Sequence, residues 1–124
     1  MTDFGVELMG DPDWMIRREV ARRIDPSQLP KMMNDPEWLV RCVVAQRISA
    51  DRLPEMMLDE DFAVRIEVAD RIDPSRLPEM MGDLLPSVRY AVAGRIHRRY
   101  LGGMLILETA PEVIRIIQER LTRT

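Results

Sequence analysis

One cysteine, one histidine and 5% aromatic residues leave this chain little of the usual catalytic and cross-linking chemistry. A lone thiol, Cys42, makes no internal disulfide and no cysteine metal cluster. A lone imidazole, His97, without serine, cysteine or aspartate at telling positions, is no catalytic triad. Apolar runs fall well short of the roughly 20 residues needed to cross a bilayer. The opening MTDFGVELMG has neither a basic n-region nor an apolar h-region, so no signal peptide is expected and the cytoplasm is the default compartment. No P-loop, G-x-G-x-x-G, H-E-x-x-H or EF-hand pattern occurs, and Gly102-Gly103 reads as a turn. These absences lead us to expect no catalytic residue, no cofactor and no metal.

What the chain does have is a repeat of 24 residues. DPDWMIRREVARRIDPSQLPKMMN starts at Asp11 and DPEWLVRCVVAQRISADRLPEMML at Asp35. DEDFAVRIEVADRIDPSRLPEMMG starts at Asp59 and DLLPSVRYAVAGRIHRRYLGGMLI at Asp83. A fixed period of this length signals stacked supersecondary units whose core grows by neighbour contact. The 124 residues are expected to form one repeat domain. Residues 1–10, with Val6, Leu8 and Met9, would be an N-terminal half-repeat cap. Residues 11–106 would be four repeats and 107–124 a C-terminal capping helix.

Within each repeat, the opening Asp is expected to be the helix N-cap, with Pro12 or Pro36 at the first helical position. About eleven helical residues follow. With Ile16 at zero and about 100° per residue, Val20, Ile24, Ala21 and Trp14 share one apolar arc. Val40, Val64, Val88 and their companions repeat it in register. A break at Asp25-Pro26, Ser49-Ala50 or Asp73-Pro74 precedes Leu-Pro-x-Met-Met. The internal proline predicts a very short second element, a turn or one coil of 3₁₀ helix, whose methionines join the core. Near the end, Thr109-Ala-Pro-Glu112 has the form of a capping box before an amphipathic run of Val113, Ile117 and Leu121.

Two arginine columns recur in all four repeats, Arg17, Arg41, Arg65, Arg89 and Arg23, Arg47, Arg71, Arg95. Both fall in or beside the apolar arc, so both are expected to lay their stems in the seam rather than bind phosphate. The aromatic column Trp14, Trp38, Phe62 borders the core and is expected to pack in the seam. Charge is uneven. Residues 59–82 hold three arginines against seven acidic residues, net −4. Residues 83–106 hold four arginines against one aspartate, net +3. Such a dipolar surface biases docking. In the fourth repeat Arg98, Arg99 and Tyr100 replace the usual turn and form the best local candidate for an anion or acidic partner.

The run DPDWMIRREVARRI followed by Leu-Pro-x-Met-Met resembles the leucine-rich repeat variant family, a relative of HEAT repeats. The resemblance covers about residues 5–106 and implies an all-α, right-handed superhelical solenoid of alternating α and short 3₁₀ helices without strands, with both arginine columns paired to Asp in the ladder of HEAT-like proteins. One member, from a nitrogen-fixing bacterium, carries an iron–sulfur cluster on an N-terminal cysteine segment. This chain shows no such segment, so the cluster is not implied.

Repeats of this kind most often present a continuous surface, which favours a non-enzymatic protein–protein interaction scaffold. The alternatives are a nucleic-acid-binding HEAT-like protein or an accessory protein of a nitrogen-fixation type metalloenzyme system. Only one repeat is strongly basic, so nucleic acid is the less favoured partner, and no membrane or small-molecule partner is indicated. The expected partner is another protein or a second copy of the chain. On the wheel, Leu39, Cys42, Val43, Ile66 and Tyr90 point away from the core arc. With Arg98, Arg99 and Tyr100 they are the candidate partner-binding residues.

Overall fold

The computed structural model describes residues 5–123. Among the described residues there is no strand, and α and 3₁₀ helices alternate from residue 6 to residue 107, after which a last α-helix follows another directly. The α-helices are α1 (Trp14–Arg23), α2 (Trp38–Arg47), α3 (Phe62–Arg71), α4 (Pro86–Ala93), α5 (Leu101–Leu107) and α6 (Pro111–Thr122). The 3₁₀ helices are η1 (Val6–Leu8), η2 (Pro26–Met32), η3 (Ala50–Met56), η4 (Pro74–Met80) and η5 (Arg98–Tyr100). Helices α1 to α4 pack side by side in sequence, α6 packs on α4, and η2 and η3 pack under α2 and α3.

The arc read from the sequence is the core, except that in the first repeat Ile16 is exposed and Trp14 half-buried. Val40, Val44, Ala45 and Ile48 of the second repeat are fully buried, as are Val64, Val68, Ala69 and Ile72 of the third. Leu29, Leu53, Leu77 and Leu101 are also fully buried, and Met32, Met56, Met80 and Met104 close the same layer. The methionines are therefore packing residues, as their register implied.

Several local expectations are corrected, among them Gly102-Gly103, which lies inside α5 rather than in a turn. Each 3₁₀ element η2 to η4 has seven residues, about two turns rather than one. Proline does not end it. The Pro30 carbonyl accepts from Met33 N–H, so proline opens a second turn where its missing donor and fixed φ are harmless. The α-helix N-caps are Asp13, Glu37, Asp61 and Leu85, two residues beyond the opening aspartates. Pro12 and Pro36 accordingly precede the helices, whereas Pro86 and Pro111 do occupy first helical positions. The capping box at Thr109 does not form, because Ala110 is the N-cap of α6.

Helix α6 matches α4 at an offset of one extra residue. Val113, Ile117 and Arg120 stand where Val88, Val92 and Arg95 stand in α4. Val113 and Ile117 are fully buried against the stack. At the other end Gly5, with φ 76°, turns the chain onto α1, and an added Cβ there would meet Val20 Cγ1 at 3.0 Å. Residues 1–4 of the expected N-terminal cap, and Thr124 of the expected C-terminal capping helix, lie outside the described residues.

Candidate functional site

The two arginine columns define two edges of the stack. On the edge where the α-helices begin, Arg17 donates Nε to Asp35 at 2.8 Å and Nη2 to the same carboxylate at 3.1 Å. Arg41 repeats this on Asp59 and Arg65 on Asp83. Each guanidinium also donates Nη1 to the backbone carbonyl of its own repeat's opening Asp, as Arg41 does to Asp35 at 2.7 Å. The opening Asp thus has three tasks. Its carboxylate accepts the preceding arginine, its Oδ1 accepts the N–H two residues on, and its carbonyl accepts its own arginine. That is why it lies outside the helix rather than capping it.

The ladder ends on Glu108. The fifth unit has Leu107 where an opening Asp would stand, and Glu108, one residue later, accepts Arg89 Nε at 2.8 Å and Nη2 at 2.9 Å. The hydrogen bond from Arg89 holds the Glu108 carboxyl below the usual carboxylate range. The ladder position of α6 is Ile114, which has no guanidinium to pass on.

On the opposite edge the second column finds carbonyls, not the carboxylates expected. Arg47, Arg71 and Arg95 each donate Nη1 at 2.6 Å to the helix C-terminus of the preceding repeat, at Ala21, Ala45 and Ala69. Arg71 adds Ile48, and Arg120 of α6 holds Ala93 and Ile96 at 2.8 and 2.7 Å. These are orphan carbonyls at the negative end of a helix dipole, where a cation is favoured.

The candidate partner stripe is only partly on the surface. Cys42 and Val43 are buried and Leu39 and Ile66 half-buried, while Tyr90 is exposed. The wheel measured distance from the core arc alone. In the stack α2 also has α1 on one flank and α3 on the other, and Gln46 Nε2 reaches Glu67 of α3 across that face at 3.2 Å. Burial first, then Glu67 and other carboxylates, pushes the Cys42 thiol up to about 11, so it is a packing residue with little thiolate. The aromatic column is less enclosed than expected, since Trp38 is 41% and Phe62 45% exposed. Trp14 is half-buried under Arg18, whose guanidinium lies 5.3 Å from the ring centre.

The basic cluster of the fourth repeat is largely committed to the fold. His97 replaces the Asp that caps η2 and η4, and its Nδ1 accepts Arg99 N–H at 3.1 Å. Arg98 donates to the Arg120 and Leu121 carbonyls at 2.6 Å, tying η5 to the end of α6. Arg99 rests on the Tyr100 ring at 5.1 Å. These residues surround an open cleft of about 490 Å³ with Arg95 and Arg120.

Sequence reasoning missed the apolar rim on the ladder edge. Leu58, Leu84, Ile106 and Leu107 are 92%, 90%, 83% and 84% exposed, although these are large aliphatic side chains. Leu58 and Leu84 project from the turns between a 3₁₀ helix and the next α-helix, and Ile106 and Leu107 are the last two residues of α5. Between successive turns lie three clefts at equivalent places, of about 390, 460 and 690 Å³, each with a ladder arginine at its wall. The signal was available in the aligned repeats, as the places where Leu58 and Leu84 depart from Asn34 and from Pro12 and Pro36.

The fold and its ladder define a class, a solenoid of alternating α and 3₁₀ helices locked by arginine from one repeat to the next. A solved structure described as a leucine-rich repeat variant with a novel repetitive protein structural motif is similar to this chain over 94% of its length, at 39% identity and a TM-score of 0.90. The chain is a leucine-rich repeat variant. It spans about half of that structure, 49% of its chain. No protein-family model and no curated protein sequence matches it.

Proposed function

We propose that the protein is a non-enzymatic repeat scaffold that binds another protein along its ladder edge. The observation that carries this reading is the row of nearly fully exposed leucines and isoleucine at Leu58, Leu84, Ile106 and Leu107. Aliphatic side chains at such exposure, three of them lining clefts on one edge, are more than the scattered apolar surface of a monomer. The chain's nucleophile and its one imidazole support the non-enzymatic part. Cys42 is buried with a raised pKa, and His97 is committed at Nδ1 to a backbone cap. Nucleic acid is disfavoured, because Arg47, Arg71, Arg95, Arg98 and Arg120 already hold backbone carbonyls. No helix among the described residues is long and apolar enough to cross a membrane.

The test is paired affinity capture from the native host, using the protein and a Leu58→Ser, Leu84→Ser, Leu107→Ser variant. All three side chains are exposed, so the variant should keep its thermal midpoint. A protein retained by the native chain and lost by the folded variant is the expected result. Capture that is the same for both, or turnover of a substrate by the purified protein, would overturn the reading.

A further inference from the structure

The three ladder clefts are not equal, and the difference lies in two glycines. In the first cleft Asn34 and Glu55 stand on the two sides, and in the second Leu58 and Glu79. In the third the same two places are Gly82 and Gly103. A Cβ built at either glycine meets nothing within 4 Å, and neither has a positive φ. The fold therefore needs glycine at neither position for backbone reasons. Their effect is the space itself, the widest of the three clefts at about 690 Å³. Its walls are Met81, Met104, Leu84, Leu107 and Pro78, with the Arg89–Glu108 pair at one side.

We infer that this glycine-widened cleft is an anchor pocket for one bulky apolar side chain of a partner segment that carries lysine or arginine beside it. The volume and the methionine and leucine lining suit a leucine or aromatic anchor. The charge of the surrounding edge selects its neighbours. Beside this cleft Asp83 is matched by Arg65 and Glu108 by Arg89, and the exposed Glu112 of α6 adds a further carboxylate within electrostatic reach of Arg89. The edge is thus negative around an apolar hole, which attracts a basic segment and repels an acidic one. A second copy of the chain is the poorer fit. Its basic edge carries none of the large exposed apolar side chains among the described residues that could enter the pocket.

This inference rests on the scaffold reading and narrows it to one cleft. The experiment is selection of phage-displayed random dodecapeptides on the purified protein, followed by fluorescence anisotropy with the consensus peptide. A consensus with a bulky apolar residue flanked by Lys or Arg is expected. Gly82→Leu, which restores the side chain of the second repeat, should weaken its binding about tenfold or more with no loss of thermal midpoint. Gly103→Glu should weaken it too, although it adds negative charge, whereas binding by charge alone would strengthen. No enrichment, an acidic consensus, or unchanged affinity in both variants would overturn the inference. So would a dimer in sedimentation that Gly82→Leu dissolves, since the cleft would then belong to a second copy. Running Gly82→Leu through the paired capture separates the two readings. A partner kept by Gly82→Leu but lost by the leucine variant would leave the scaffold standing and remove the pocket.

Discussion

Arginine joins each repeat to its neighbour on both edges of the stack, but in opposite directions and with different chemistry. On the ladder edge Arg41 reaches forward to the carboxylate of Asp59, and on the other Arg71 reaches back to the carbonyls of Ala45 and Ile48. The forward contact joins two opposite charges, each nearly enclosed, with side-chain exposures of 7% and 8%. Neither can be removed without stranding the other. The backward contact joins a charge to neutral dipoles that water could also satisfy in part. One residue type thus solves two problems, neutralising a buried acid on one edge and capping a helix on the other. The edges should differ in how they fail.

Arg41→Ala should break the stack most severely. It leaves Asp59 without its counter-charge and the Asp35 carbonyl without its donor, a loss of about 3–5 kcal/mol in chemical unfolding. Arg71→Ala should cost less, about 1.5–3 kcal/mol, the range for hydrogen bonds to a charged donor. Equal losses would mean that the two edges are energetically the same and that the buried carboxylate is not what matters.

Acid sharpens the contrast further. The folded Glu108 carboxyl titrates below its unfolded value of about 4.3, so its contribution is complete above that pH and disappears as pH falls through the folded value. The effect should be smaller than deleting Arg71, because a protonated carboxyl can still accept one N–H. Hydrogen exchange below pH 4 should show α5 and α6 opening in the native protein, and Glu108→Gln should abolish that pH step. A Glu108→Gln variant with the same acid-induced opening would remove Glu108 as its cause.

The smallest effect belongs to arginine outside both columns. Arg76 pairs with Glu79 three residues on, and its side chain is 42% exposed. Arg76→Ala should change stability by less than about 1 kcal/mol. A larger loss in thermal unfolding would show that enclosure is not what separates ladder from surface arginine.

Much of this was legible in the chain. The period, the apolar register from Val40 to Ile96 and the role of the methionines follow from residue type and spacing, and the Asp partners of the first arginine column from the family resemblance. The second column could not be assigned its partners in the same way. Backbone carbonyls have no letter in a sequence, and which helix end lies beside Arg71 depends on how repeats stack. The N-cap was misplaced by two residues for a related reason. An Asp before a helix satisfies free N–H groups by default, but Asp35 is drawn out of the helix by Arg17 of the preceding repeat.

The candidate surface moved for a third reason. A helical wheel knows one buried direction, and Cys42 and Val43 are enclosed from two others. The rim of Leu58, Leu84 and Leu107 and the cleft at Gly82 and Gly103 depend on juxtaposition across the units. Sequence by itself determined the repeating unit, because helix periodicity, proline and the apolar pattern act within about two dozen residues. Tertiary structure decided what each repeat lends to the next, namely the buried acid, the capped carbonyl and the open cleft. Those depend on distances between units, which no single repeat encodes.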